Sequence, residues 1–345
     1  MRILITGGAG FAGSRLALLF REKLSAEVTV FDNLRRRGSE LNLPEFKKRG
    51  IAFVHGDIRE AADFDSLEGR YDLFIEASAE PSVLAGMNGG SPAYVLQTNL
   101  FGTANCLEYA RKACGRLLFL STSRVYSIAA LKALPLVEKT TRLDSDMPGI
   151  DENFPVNGFR SIYGMTKLAS EMLIEEYVHA YGLKAVINRC GVICGPGQFG
   201  KVDQGVFTLW VANHYFGKPL KYTGYGGTGK QVRDLMHPAD LFELIGLELE
   251  DDSVWNAGLF NAGGGRDVSV SLLEWTAECE RATGRSTGIT RQDTSASVDI
   301  PYYVSDCTRA ENKFGWKPKR KPSDIASEIA LWIRDNESSL KGLFA

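Results

Sequence analysis

A chain of 345 residues, 44% of them apolar and 24% charged, is long enough for one large or two moderate cores and needs neither disulfide nor metal to fold. Its formal charge of -2 leaves no basic excess, which argues against a nucleic-acid partner. The six cysteines form no Cys-x-x-Cys pair and no zinc spacing with the four histidines, so no metal is expected and the thiols read as small buried residues.

Met1 runs straight into Ile3-Leu4-Ile5 with no basic leader, and no apolar stretch approaches membrane-spanning length. The expected compartment is the cytoplasm, with no membrane partner. From the start, short β-rich runs alternate with longer segments of helical period. That pattern predicts an α/β fold, a Rossmann-type doubly wound parallel sheet. Strands are expected at Arg2–Thr6, Glu27–Asp32, Ala52–His55, Leu73–Ala77, Arg116–Ser121 and Lys184–Arg189, nearly continuous in apolar residues as doubly covered strands should be.

The first helix is expected over Ser14–Leu24. Pro92–Cys114 carries Leu96, Leu100, Thr103, Leu107 and Ala110 at helical spacing, and Ser161–Tyr181 carries Leu168, Met172 and Tyr177. Ile128–Asn157 has no clear period and reads as an insertion near the site. After Arg189 the alternation fails, and Gly195-Pro196-Gly197 and Gly224–Gly229 separate shorter elements. Residues 1–189 are therefore expected to form a dinucleotide-binding domain. Residues 190–345 are expected to be mainly a smaller substrate-binding region, with some elements able to return to the first domain.

The first strand ends in Thr6-Gly7-Gly8-Ala9-Gly10-Phe11-Ala12-Gly13 and leads directly into a helix. Glycines there let the backbone approach a pyrophosphate at the positive helix N-terminus. A glycine triplet alone is weak evidence, but here Asp32 closes the second strand about 20 residues on, where a carboxylate can accept both adenosine-ribose hydroxyls. Its charge favours NAD over NADP, although Arg35, Arg36 and Arg37 follow and are able to neutralise a 2′-phosphate. Otherwise they form a solvated loop face. Asn33 beside Asp32, Asp57 with Ile58 after the third strand, Ala77, Ser78 and Ala79 at the end of the fourth, and Asn99 complete the expected cofactor lining. Asp57 can accept from the adenine amino group or cap a helix before Glu60–Leu67.

Tyr163 and Lys167, four residues apart on one helix, share a face. A neighbouring ammonium favours the phenolate, so Tyr163 can take a proton from a sugar hydroxyl while the carbon beneath it gives up hydride. Tyr-x-x-x-Lys arises often by chance. The fifth strand, however, ends in Ser121-Thr122-Ser123-Arg124-Val125-Tyr126, which puts hydroxyls at the carboxyl edge where open α/β sheets bind ligands.

With these motifs the chain resembles the extended short-chain dehydrogenase/reductase family, the nucleotide-sugar epimerases and dehydratases. The likeness runs through Asn99-Leu100-Phe101-Gly102-Thr103, Arg189, Gly195-Pro196-Gly197-Gln198, Arg233-Asp234 with His237, and Phe314-Gly315-Trp316-Lys317-Pro318. It implies that Thr122 bonds the reacting sugar oxygen, that Tyr163 and Lys167 serve both catalysis and NAD, and that Lys167 bonds the nicotinamide ribose. The 4,6-dehydratases of the family carry Asp-Glu after this Thr, whereas Ser123-Arg124 stands here, so elimination of water lacks its acid and base.

Within the family, Gly197-Gln198-Phe199, Asp203-Gln204-Gly205 and Gly229-Lys230-Gln231-Val232-Arg233-Asp234 are most similar to the CDP-paratose (CDP-tyvelose) 2-epimerases. Ala296 and Pro301 replace two arginines of those enzymes around Asp299, and Val192 replaces an asparagine. The resemblance implies a nucleotide-diphosphate-sugar substrate held by Thr122, Gln198, Gln204, Arg233 and Asp299, with Arg233 matched to the diphosphate. The favoured reaction is inversion at C2 of a CDP-deoxyhexose by transient oxidation. The alternatives are a UDP-sugar 4-epimerase and a non-catalytic NAD-binding regulator. The family likeness also implies a homodimer through Pro92–Cys114 and Ser161–Tyr181, with Ala93, Val95 and Leu173 as outward apolar residues.

Overall fold

The computed structural model describes residues 1–87, 89–200 and 204–344. The chain divides into two compact units. One comprises Met1–Val125, Ser161–Arg189 and Leu241–Phe260, and the other Tyr126–Arg160, Cys190–Asp240 and Asn261–Ala345.

The first unit is built on a seven-stranded sheet. In chain order its strands are β1 (Arg2–Thr6), β2 (Glu27–Asp32), β3 (Ala52–His55), β4 (Tyr71–Glu76), β5 (Cys114–Thr122), β6 (Ala185–Cys190) and β7 (Asn256–Ala262), arranged β7-β6-β5-β4-β1-β2-β3. The pairings of β1 with β2 and β4, β2 with β3, and β4 with β5 are all parallel. Strand order reverses between β4, β1 and β2, the Rossmann switch point. The first three strands fall where the sequence predicts them. The fourth begins at Tyr71 and ends at Glu76, which leaves Ala77 outside it, β5 extends the predicted span at both ends, and β6 is the predicted strand shifted by one residue.

Strand β7 is not among the six predicted. Its sequence Asn-Ala-Gly-Leu-Phe-Asn-Ala holds only two large apolar residues, and Ala257 adopts φ 53°.

Side chains alternate across this sheet with period two. Leu4, Phe74, Leu117, Phe119 and Ile187 pack with Cys106, Leu107 and Ala110 of α2 (Gly102–Ala113) and with Ile174 of α3 (Ile162–Tyr181). The opposite side carries α1 (Phe11–Leu24), whose Phe20 meets Phe242 edge-on at 5.0 Å. Helix α2 continues Ala93–Leu96 through a five-residue π turn at Gln97–Phe101.

Two expectations about helix faces are overturned. Met172, placed on the inner stripe of α3 by its spacing, is 61% exposed. The stripe α3 buries is instead Gly164, Thr166, Lys167, Ser170, Glu171 and Ile174, because polar side chains occupy the inner positions. Val95 is buried and Leu173 packs against the core, so neither supplies an outward apolar surface. Ala93 is exposed, and the large side chains that point outward are Phe101, Met165, Met172 and, at the end of α3, Tyr181.

The second unit has its own core, in which Phe207 and Trp210 of the helix Val206–Phe216 pack with Trp275 of Leu272–Thr283 and Ile329 of Pro322–Asp335. In its four-stranded sheet, Val232–Met236 pairs with Ser269–Ser271, Tyr302–Tyr303 and Val192–Ile193. Ile128–Asn157 belongs to this unit and contains a helical turn and a short hairpin. All six cysteines are thiols, five of them buried. Among the described residues no helix is long and apolar enough to cross a membrane, and no cluster of three metal-ligating side chains occurs.

Candidate active site

The carboxyl ends of β1, β2, β4 and β5 bring the expected cofactor residues of the first unit together. The glycine turn closes on itself through Gly10 N–H to Gly7 C=O at 3.0 Å. Gly7 has φ 61°, and a Cβ there would lie 2.7 Å from the Ala77 oxygen and the Ser78 Cα. A Cβ on Gly13 would lie 2.5 Å from the Gly7 oxygen. The turn therefore stays flush against Ala77 and Ser78. Gly10 caps α1 without a side-chain bond, so the first N–H groups, those of Phe11, Ala12 and Gly13, form a backbone cradle for an anion.

Asp32 ties this turn to the second strand. Its Oδ2 accepts from Ala9 N–H at 3.0 Å and its Oδ1 from Leu34 N–H at 2.7 Å. Burial raises its carboxyl above the ordinary range, against the pull of those backbone donors and of Gly10. Asn33 donates to Asp57 at 2.9 Å, and Arg59 grips the same carboxylate at 2.6 Å. Burial pushes Asp57 up, but the bonds from Arg59 and Asn33 win and hold it at about 2.

Asp57 is not a helix cap, since the next helical turn, Ala61–Ser66, begins after Glu60. Its neighbour Ile58 is buried. Arg35, one of the three arginines after Asp32, stacks on the Tyr94 ring at 4.0 Å, with Arg59 over the same ring at 5.1 Å. Ala79 follows Ser78 on the loop after β4, and Glu80 of that loop is held by Asn99, which accepts from its N–H at 2.8 Å and donates to its C=O at 3.1 Å.

Asn99 sits in the π turn and also donates to Thr166 Oγ1 at 3.3 Å. Its carbonyl, displaced by the irregular turn, accepts from Thr103 and Ser170 hydroxyls at 2.8 and 3.0 Å. Such turns recur at functional positions. Here the turn fixes α2 to α3 beside Lys167.

Thr122 ends β5, 8% exposed, with its Oγ1 accepting from Arg124 N–H at 3.2 Å. Ser161 caps α3 by accepting from Gly164 N–H at 3.1 Å, which sets Tyr163 in the first turn. Lys167 is 2% exposed, and its Nζ lies 3.8 Å from the centre of the Phe119 ring.

One turn further, Glu171 receives both Nε and Nη2 of Arg189, the latter at 2.7 Å, and the Ser121 hydroxyl. This buried clamp joins α3, β5 and β6 immediately beside Thr122 and Lys167. Residue spacing alone does not reveal it, although an acid at i+4 from Lys167 is the available signal. The buried Glu76 at the end of β4 also escapes the sequence reading.

In the second unit, Arg233 donates to Asp299 at 3.2 Å and to the Ile300 carbonyl at 2.8 Å, so these two expected substrate residues meet. Gln198 is buried, its amide donating to Ile193 C=O at 3.2 Å and accepting from Thr208 at 2.6 Å. Gln204 is half-buried, with Oε1 lacking a hydrogen-bond partner among the described residues. Asp203 lies outside the described residues. Asp234, next to Arg233, is fully buried and accepts from Gly265 and Ser305 N–H at 3.2 Å each.

Residues 3–263 match the model of the NAD dependent epimerase/dehydratase family. The chain belongs to this family. Across 96% of its length it is 31% identical to the CDP-paratose 2-epimerase of Salmonella typhi, covering 99% of that protein. It is similar in structure to the dTDP-glucose 4,6-dehydratase DesIV of Streptomyces venezuelae, solved with NAD and TYD bound (TM-score 0.81, 27% identity, 99% and 100% of the two chains). It is also similar to the UDP-glucose 4-epimerase of Thermus thermophilus, solved with NAD (TM-score 0.77, 25% identity, 97% and 99%).

Proposed function

We propose that this member of the family is an NAD-dependent nucleotide-sugar epimerase that inverts C2 of a CDP-deoxyhexose. The observation that carries the reading is the placement of Thr122, Tyr163 and Lys167 on the joined ends of β5 and α3, with Ser123 and Arg124 where an elimination would need two acids. Likeness to the Salmonella typhi protein across nearly the whole chain supports the choice of carbon.

The glycine cradle and the Asp32 carboxylate fit a dinucleotide, whose pyrophosphate would meet the first N–H groups of α1 and whose ribose would meet Asp32. Bound there, NAD supplies a reversible hydride acceptor. Tyr163 Oη takes the hydroxyl proton of the sugar carbon under oxidation and returns it in the reverse step. Lys167 favours the phenolate, and Thr122 Oγ1 orients the same hydroxyl. Arg233 is assigned to the substrate diphosphate, which would compete with Asp299 for the guanidinium. Gln198 and Gln204 are assigned to the sugar side of the site.

Because hydride leaves and returns to one carbon, deuterium at C2 of a CDP-6-deoxyhexose should be retained in both epimers and should slow turnover. Solvent deuterium should not enter. A primary effect seen only with deuterium at C4, or solvent label at C2, removes the C2 assignment. The C4 result would favour the second reading, a UDP-sugar 4-epimerase, which the likeness to the Thermus enzyme supports.

A further inference from the structure

The apolar alternation of β4 breaks at its last residue. Leu73 and Ile75 point to one face, while Phe74 and Glu76 point to the other, together with their register neighbours Leu4 and Thr6 on β1 and Leu117 and Phe119 on β5. That face is covered by α2 and α3, so a carboxylate stands where the fold calls for an apolar side chain. Glu76 is 1% exposed. Its Oε2 accepts from Thr103 Oγ1 at 3.3 Å, and its Oε1 has no hydrogen-bond partner among the described residues. A buried anion with one partial bond is costly unless a cation answers it.

Lys167 is the cation that acts on this carboxyl, since the other buried cation on this face, Arg189, is held by Glu171. Its ammonium, also buried, sits 3.8 Å from the ring of Phe119, the residue paired with Glu76 across β4 and β5. The other groups around the carboxyl are uncharged: Thr6 on β1, Thr103 and the buried Cys106 thiol on α2, and Phe119 on β5. Tyr163 lies one turn before Lys167 on α3.

We propose that Glu76 is a positioning residue for the reaction, the counter-charge that holds the Lys167 ammonium in place and sets how much of its charge reaches the Tyr163 phenol. The proposal rests on the reading of Tyr163 as the base.

Burial pushes the Glu76 carboxyl up to about 7, against the pull of Lys167 and the Thr103 hydroxyl. Below that pH the carboxyl is neutral, and the full charge of Lys167 favours the phenolate. Above it the carboxylate cancels part of that charge, so the phenol becomes harder to ionise as pH rises. The three groups then titrate as a coupled set, with Glu76 acting as a brake on the base.

Tyrosinate absorbance of the purified chain, with Tyr163→Phe as the blank, isolates the Tyr163 step without any sugar or turnover. In Glu76→Gln that step should fall by about one pH unit, and the acid limb of kcat/KM should fall with it. Thr103→Val removes the donor that favours the ionised carboxyl, and should move the step the same way by less. A step unmoved in both variants overturns the proposal, even where stability or activity has changed. A shifted step in a chain that turns over no nucleotide-sugar upholds the role of Glu76 and removes the epimerase reading. An unmoved step beside Tyr163-dependent epimerisation does the reverse.

Discussion

At Tyr163, substitution by phenylalanine removes a single oxygen from a side chain in the first turn of a helix already capped by Ser161. Tyr163→Phe should therefore keep the fold and NAD affinity while lowering kcat by about 10²–10⁴-fold, the usual worth of a positioned acid–base group. Circular dichroism, NAD titration and a rate assay check the three parts, and wild-type kcat would remove Tyr163 from the chemistry. Asp32 could be located from sequence because strand end, glycine turn and acid recur at a fixed interval. Asp57 was readable only as a position. What holds it is the Arg59 guanidinium two residues on, together with Asn33, and a contact between side chains at loop tips leaves no periodic trace.

Helix α3 shows why a functional element is misread by apolar period. Its inner stripe of Thr166, Lys167, Ser170 and Glu171 is polar because each of these side chains has a partner or a role inside the fold. The apolar Met165 and Met172 are left outside. The π turn at Gln97–Phe101 is likewise invisible to a 3.6-residue template, and β7 is too poor in large apolar residues to register as a strand. The strands β1 and β2 were legible because doubly covered strands are continuous in such residues, whereas β3, half-buried at the sheet edge, shows only the Phe53-Val54 pair.

The Glu171–Arg189 pair is the element-scale test. Both are nearly fully buried, so Glu171→Ala strands a guanidinium and should cost about 3–5 kcal/mol in urea denaturation. Glu171→Met with Arg189→Leu, which removes both charges, should cost clearly less. Equal losses would show that the clamp's contribution is packing and not charge.

For the whole molecule, two buried carboxylates set the direction of the pH dependence. Burial drives Glu76 up to about 7, and drives Glu248 up to about 8 despite the Asn188 amide bond at 3.1 Å. A folded carboxyl held above its unfolded value is no burden while both states are protonated. As pH rises past the unfolded value the penalty grows, and it is complete above the folded one. Stability should accordingly fall between about pH 4.5 and pH 8, and Glu248→Gln should raise Tm at the upper end but not at the lower. An equal gain at both ends would mean that Glu248 does not titrate in this range.

The outer faces of α2 and α3 raise the question of assembly. Phe101 is 60% exposed, Met172 61% and Met165 37%. Met165 and Met172 lie seven residues apart, two turns along one face of α3, and α3 packs on the π turn that carries Phe101. Large apolar side chains grouped in this way mark association surfaces more often than free ones. A twofold axis would let each α2–α3 pair cover its copy in a four-helix contact. We therefore predict a homodimer in which Phe101→Glu with Met172→Glu yields a folded monomer at micromolar concentration, read by light scattering, with NAD binding retained. A wild-type chain that is already monomeric, or a double variant that remains dimeric, would place the contact elsewhere or remove it.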